Sequence, residues 1–265
     1  MKRILILSSI AVSLFMASCT KEETKSSVIV PTDNSLMVSE KNMSLINKFT
    51  GTNCYYCGDW GWTLIEDLIT AHKDDAVVVG AYSQNSFAQL FISPIATDWD
   101  KRLAVTQGYP TFAPNFVDSW LLPVKDDLEN NIEATVTTHN NSPILVNTAH
   151  TFKIEGTNLI VTSTTKFFKE ATGEYQLGVY VMENKVIGNQ SGPKGGPSAS
   201  HHNVLRAGNT SWGEALANGT ITANTKIDKT TTIVLDAKWK VADLEVFTVI
   251  WKKNGTKWNF VNAHK

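Results

Sequence analysis

The chain has 265 residues, 42% of them hydrophobic, and a net charge of −1 at pH 7. That near-neutral balance excludes partners held mainly by charge, such as nucleic acid or an anionic membrane surface. The apolar content is enough for a packed core in one large domain or two smaller ones.

The N-terminus has the layout of an export signal. Lys2 and Arg3 precede an apolar run from Ile4 to Phe15. The run is too short to span a bilayer, which takes about 20 apolar residues, but it suits the apolar region of a signal peptide. It ends in Met16-Ala17-Ser18-Cys19. Small residues before a cysteine resemble a bacterial lipobox, so residues 1–19 are expected to form a lipoprotein signal peptide with a lipidated Cys19. The resemblance implies a protein anchored by lipid to the bacterial outer membrane, on its periplasmic or its surface face. Thr20-Lys21-Glu22-Glu23 follows at once. It is either a surface-export signal similar to those of Bacteroidetes lipoproteins or a solvated linker. Residues 20–41 are expected to be a flexible tether, polar and without helical periodicity around Pro31.

With Cys19 assigned to lipid, Cys54 and Cys57 are the remaining cysteines. In an oxidising compartment they pair with each other or with a partner protein. A bridge this short closes a small loop and stabilises little, which favours chemistry over a staple. A metal reading lacks a second Cys or His pair at suitable spacing. No metal and no cofactor is expected.

Residues 42–141 alternate strand and helix. Met43–Phe49 suits a strand, and Gly51-Thr52-Asn53 turns it into Cys54-Tyr55-Tyr56-Cys57. Trp60, Leu64, Ile65, Leu68 and Ile69 recur at helical spacing through about His72. Ala76–Ala81 is a continuous apolar run of the kind found in buried parallel strands. A second helix is expected near Ile95–Thr106. Gly108-Tyr109-Pro110-Thr111 follows, then a strand over Phe112–Val117 and a closing helix over Leu122–Thr138. Cys-x-x-Cys followed by strand, helix and Gly-x-Pro-Thr resembles the thioredoxin-like fold. The resemblance implies an exposed, attacking Cys54 at a helix N-terminus, where the thiol pKa of such sites falls to ~3.5–7.5. It implies a resolving Cys57 and a cis Pro110. Tyr109 would offer backbone groups to an extended substrate, with Tyr55 and Tyr56 bordering the groove. Asn53 and Gly58 depart from the common thioredoxin pattern. One of Trp60 and Trp62 is expected in the core, and the other over the cysteines.

Residues 142–265 change character after Asn140-Asn141-Ser142-Pro143. Leu159, Val161, Ser163 and Thr165 alternate with more polar neighbours, and so do Tyr175, Leu177, Val179 and Val181. Thr230–Leu235 and Leu244–Trp251 are further strands. Asn254-Gly255 joins the latter to Lys257–Val261, a strong hairpin signal. The pattern predicts an all-β antiparallel sandwich, Ig-like in kind. Gly188–Gly219 looks like a long loop. It carries His201 and His202, whose side chains would point apart in an extended chain and so would not share a metal.

The whole is similar to the twenty-eight-kilodalton outer membrane protein family of Bacteroidetes. The matching stretches are Phe49-Thr50-Gly51-Thr52-Asn53-Cys54 with Cys57, and Gly108-Tyr109-Pro110-Thr111. In the second half they are Val179-Tyr180-Val181-Met182-Glu183-Asn184 leading to Gln190, and His202-Asn203-Val204-Leu205-Arg206. The resemblance implies a thioredoxin-like domain followed by a β-rich domain. Two functions follow as expectations. One is a thiol–disulfide oxidoreductase acting on thiols or disulfides of envelope or secreted proteins. The alternative is a non-enzymatic surface-binding or adhesion module with a structural disulfide.

Overall fold

A computed structural model describes residues 36–84, 87, 90–105, 108–117 and 125–265. The signal segment with Cys19, the tether up to residue 35 and the expected helix start at 122–124 lie outside the described residues. Regular structure begins with β1 (Ser44–Thr50), α1 (Trp60–Ala71), β2 (Ala76–Tyr82), α2 (Pro94–Leu103), β3 (Thr111–Pro114) and α3 (Lys125–Asn140). Strands then take over. They are β4 (Val146–Glu155), β5 (Asn158–Phe167), β6 (Ala171–Thr172), β7 (Tyr175–Glu183), β8 (Val186–Gln190) and β9 (Gly196–His201). After these come β10 (Val204–Gly208), β11 (Glu214–Ala217), β12 (Thr220–Ile221), β13 (Lys226–Val234), β14 (Leu244–Asn254) and β15 (Lys257–His264).

Local chemistry explains most boundaries. In α1, Leu64, Ile65 and Leu68 are buried on one face, and the His72 N–H closes the helix on the Leu68 carbonyl. Pro94 opens α2, where its missing N–H costs nothing. Ala104 ends it in the left-handed conformation. The strand expected over 112–117 is shorter as β3. Asn115 and Phe116 take φ of 51° and 54°, which breaks extended geometry after Pro114.

One mixed sheet runs through most of the chain, in the order β15-β14-β7-β10-β2-β1-β3, with β11 also on β7. β1 and β2 are parallel, joined through α1, and β3 lies antiparallel to β1. β10 meets β2 in parallel at Val204↔Gly80 and β7 in antiparallel. β7 pairs antiparallel with β14 over its whole length, from Tyr175↔Lys252 to Glu183↔Leu244. β14 and β15 form the hairpin expected at Asn254-Gly255, with Gly255 at φ 60°. Gly188–Gly219, expected to be a loop, contains β9, β10 and β11 and the end of β8. These strands are short and separated by Gly and Pro, so none sustains a readable period. β9 folds back on neighbouring β8, whereas β10 and β11 pair with β7 and β10 also reaches the far earlier β2 at Gly80.

Both faces of the sheet are buried. On one face Leu45, Phe49, Val77, Val79, Tyr180, Met182, Phe247, Val249 and Trp251 pack with Trp99, Ala96 and Leu103 of α2. The opposite face is covered in two ways. Ile46, Val78 and Phe112 pack on α1 and α3 through Leu64, Leu68, Leu128, Ile132 and Val136. Leu177, Val179, Val181, Val246 and Ile250 pack on a second sheet, β13-β5-β4, through Val146, Leu159, Val161 and Ile233. The change in character at residue 142 is therefore a change in what covers the back of the sheet, from helices to strands. No helix among the described residues is long and apolar enough to cross a membrane.

Candidate functional site around Cys54 and Cys57

The cysteine loop sits where β1 runs out. Cys54 N–H donates to the Gly51 carbonyl at 3.2 Å, closing the turn that the Gly51-Thr52-Asn53 sequence foreshadows. Cys54 and Cys57 are joined as a disulfide with Cα atoms 5.2 Å apart, an ordinary spacing for such a bridge. The two are unequal. Both are buried, Cys57 with 0% of its surface exposed and Cys54 with 6%, so the exposed sulfur expected at Cys54 is instead covered by the Pro110 loop and the turn around it. The Cys57 N–H donates to Cys54 Sγ at 3.2 Å. Regular helix was expected to start at Cys54. A separate 3₁₀ turn over Tyr56–Gly58 intervenes, and α1 begins only at Trp60. The donor at the Cys54 sulfur is thus a single turn N–H rather than the end of a long helix.

The second motif arrives on the same spot. The Tyr109–Pro110 peptide is cis, and the Tyr109 carbonyl oxygen lies 3.3 Å from Cys54 Sγ. Pro110 is buried against α1 at Gly61. A Cβ at Gly61 would stand 2.5 Å from Pro110 Cγ, so only glycine allows this approach. Thr111 Oγ1 donates to the Gly108 carbonyl at 2.7 Å. The Tyr109 hydroxyl bonds to Asp100 and Ser83, which anchors its ring inward. Tyr55 and Tyr56 point the other way, 57% and 59% exposed. Their rings stand perpendicular at 5.6 Å. Phe87, Leu90 and Ile92 are also exposed large apolar residues, and the Phe87 ring lies 6.4 Å from that of Tyr109. Both tryptophans after the cysteines pack: Trp60 against Phe112 and Trp62 against His201.

Two parts of the site come from residues that sequence reasoning did not single out for it. The first is a clasp from the second half of the chain. Gln190 Nε2 donates to the carbonyls of Gly51 at 3.2 Å and Cys54 at 3.0 Å. Ser191 N–H donates to the Thr52 carbonyl and Lys194 N–H to that of Gly58, each at 2.8 Å. Gly58 departs from the thioredoxin pattern because this clasp needs it. A Cβ there would lie 1.9 Å from the Ser191 carbonyl oxygen. The nearest signal in the sequence was the Gly- and Pro-rich run after Gln190, which looked like an ordinary loop.

The second part is a buried cation. Lys48, on β1, is 3% exposed and its Nζ donates to the Cys57 carbonyl at 3.3 Å. Burial brings its ammonium down to about 7, opposed by the Glu66 charge. Trp62, Tyr82, His201 and His202 share a small cavity with it, about 10 Å³ in volume. His201 Nδ1 and the Tyr82 hydroxyl are hydrogen-bonded at 2.7 Å. Burial, with the Lys48 charge adding, pushes the His201 imidazole down to about 4. Burial holds the Tyr82 hydroxyl well above its usual value. His201 and His202 line this one cavity despite their expected divergence. Period alone hid Lys48, because a strand with a charged residue at its centre looks half-exposed.

No protein-family model matches the chain, and no curated protein matches it. Among solved structures, HBP35 of Porphyromonas gingivalis matches at a TM-score of 0.68 and 16% identity, over 86% of this chain and 76% of that one. A domain of the outer membrane lipoprotein Omp28, also of Porphyromonas gingivalis, matches at 15% identity over 46% of this chain and 87% of that one. Its TM-score of 0.32 is too low to carry an argument. What this chain shares with HBP35 is therefore a fold.

Proposed function

We propose that the protein is a cell-envelope thiol–disulfide oxidoreductase, anchored to the outer membrane by lipid on Cys19. Its substrates are thiols or disulfides of envelope or secreted proteins. The observation that carries this reading is the unequal pair beside a cis proline. Cys54 keeps a little exposed surface, 6%, with its Sγ against the Tyr109 carbonyl, and Cys57 has none. A partner sulfur reaches Cys54 first, and Cys57 then resolves the mixed disulfide. The exposed Tyr55, Tyr56 and Phe87 give an unfolded or extended partner an apolar rim to rest on. Residues 42–141 act as the thioredoxin-like part, and 142–265 act as the β part that clasps the site through Gln190.

The test is the reduction potential of the pair, together with trapping. A potential well below about −300 mV marks a structural bridge and sinks the reading. A Cys57→Ser variant should accumulate mixed disulfides with envelope proteins, and a Cys54→Ser variant should not. Metabolic labelling with palmitate, lost in Cys19→Ser, tests the anchor.

A second reading is a non-enzymatic surface-binding module with an inert bridge. The tight clasp of Gln190 on the Cys54 carbonyl and the slight exposure of Cys54 favour it. A potential below the same limit, with no trapped partner, would establish it.

A further inference from the structure

Resting on the exchange reading above, we infer that the Lys48 amine takes the proton of the Cys57 thiol when the pair closes and returns it when the pair opens. The problem it solves is set by burial. Cys57 has no exposed surface, so water cannot reach its thiol to remove the proton. A bare thiolate there would carry an uncompensated charge in an apolar setting, which is costly. Lys48 is the cationic group at that spot, with its Nζ on the Cys57 carbonyl. Among the described residues no carboxylate makes an ion pair with it. Glu66 acts from further off, its carboxylate engaged by Trp62 Nε1 at 2.9 Å and by His202 Nε2 at 3.7 Å.

The titratable surroundings fit the role. Glu66 faces Lys48 from α1, Tyr82 from β2, and His201 and His202 from the end of β9. Arg206 on β10 acts on Tyr82. Neighbouring β3 carries no titratable residue between Thr111 and Pro114. Buried Tyr82 stays a neutral phenol and His201 a neutral imidazole at neutral pH. Lys48, brought to about 7, populates both its amine and its ammonium there. A proton exchanger works best with such a match to ambient pH. The small cavity shared with the half-exposed His202 is the route by which the proton reaches solvent.

The step balances. The Cys54 thiolate attacks one sulfur of a partner disulfide, and the partner's first thiolate leaves. The Cys57 thiol gives its proton to the Lys48 amine as its sulfur attacks Cys54 Sγ. The Cys54–Cys57 bond forms, the mixed bond breaks, and the partner's second thiolate leaves. Two electrons pass from the pair to the partner. A partner dithiol reverses the sequence, and the Lys48 ammonium then reprotonates the Cys57 thiolate as it departs.

The experiment follows the reduced full chain reacting with oxidised glutathione, by rapid acid quench and mass analysis, from about pH 6 to about pH 9. Wild type should close its mixed disulfide with a pH inflection near that of Lys48. Lys48→Met should slow closure by roughly 10²-fold and lose the inflection. Lys48→Arg keeps the charge but cannot accept the proton, and should slow closure as well. Capture of glutathione by Cys54, read in a Cys57→Ser background, should be unchanged by Lys48→Met, whereas a merely structural role would slow both steps. Wild-type closure and pH profile in Lys48→Met overturn the inference while leaving exchange intact. A wild-type chain that never exchanges with glutathione overturns both. If the variants do not fold, the Nζ titration of Lys48 in the reduced wild type decides by NMR. An ammonium that persists to about pH 9 overturns the inference.

Discussion

The two ends of the central sheet are built by the same rule and filled differently. At the β7–β14 end both faces are largely apolar. Of the buried polar groups there, the Tyr175 and Thr248 hydroxyls lack a hydrogen-bond partner among the described residues, while others are matched. Trp251 Nε1 donates to the Tyr180 hydroxyl at 2.8 Å, and its ring packs among Phe116, Trp212 and Trp99. Even the buried Glu183 is paired with Arg206 at 2.7 Å. At the β1 end all seven residues of Ser44–Thr50 are buried, and Ser44, Asn47, Lys48 and Thr50 are polar among them. Lys48 has only a backbone carbonyl as its hydrogen-bond partner among the described residues. One end maximises packing, and the other retains a desolvated charge beneath a disulfide. The contrast teaches that the cysteine end is held in place by the rest of the sheet, because its own strand is a poor core element.

The largest effect should come from the packed end. Trp251→Ala should cost roughly 3–5 kcal/mol, read as a lower urea midpoint. A smaller loss there would mean that the two ends share the load. Lys48→Met should act with the opposite sign and raise stability by roughly 1–4 kcal/mol, since it removes a buried charge. The gain depends on pH. Between about 7 and the unperturbed 10.5 the unfolded chain binds a proton at Lys48 that the folded chain lacks. Wild-type stability therefore rises with pH across that window, and the advantage of Lys48→Met is full below it and fades above. A Lys48→Met chain no more stable than wild type at pH 6 would break the contrast.

Gly58→Ala should cost roughly 1–3 kcal/mol by forcing the Ser191 carbonyl away. It should also raise the accessibility of Cys54 to alkylation after reduction. Acid sensitivity comes next. His201 is held down to about 4 in the folded chain, so between there and its unfolded 6.5 the unfolded chain binds the extra proton. Stability is then lost as pH falls through that window, by on the order of 2 kcal/mol. His201→Gln, which keeps a partner for the Tyr82 hydroxyl, should flatten the profile in a pH series of urea midpoints. His150, near His264 at the strand-covered end, is also held down to about 4 and leaves a residual slope. The smallest effect belongs to the rim. Tyr55→Ser should change stability by no more than about 0.5 kcal/mol, since the side chain is exposed. It should slow exchange with an unfolded protein disulfide more than with glutathione.

Where a segment's period and its immediate neighbours settle its conformation, the sequence was legible. The helix after the cysteines, the apolar β2 and the Asn254-Gly255 hairpin follow from local pattern, while the meeting of Cys54 with the Pro110 loop was implied by the resemblance to a thioredoxin-like fold. The strands β9, β10 and β11 do not. They are short, broken by Gly and Pro, and stabilised by ladders to β8, β7 and β2 rather than by their own composition. The clasp by Gln190 was hidden for the same reason, since nothing in its neighbourhood points to a carbonyl more than a hundred residues earlier. Gly58 shows the converse case. It looked like a departure from a motif and is the consequence of a backbone contact.

By itself the sequence determined the cysteine arithmetic, the two motifs and the alternation of apolar residues along each long strand. These depend on residue type, spacing and period, which a chain carries whatever its fold. Only the tertiary structure decided that Lys48 is buried under Cys57, and that His201 and His202 meet it in one cavity. It alone set Gln190 on the cysteine loop. Burial and charge environment are properties of what packs against a residue. At Cys54 and Cys57 that packing comes from β1, α1, the Pro110 loop and the segment after β8 together.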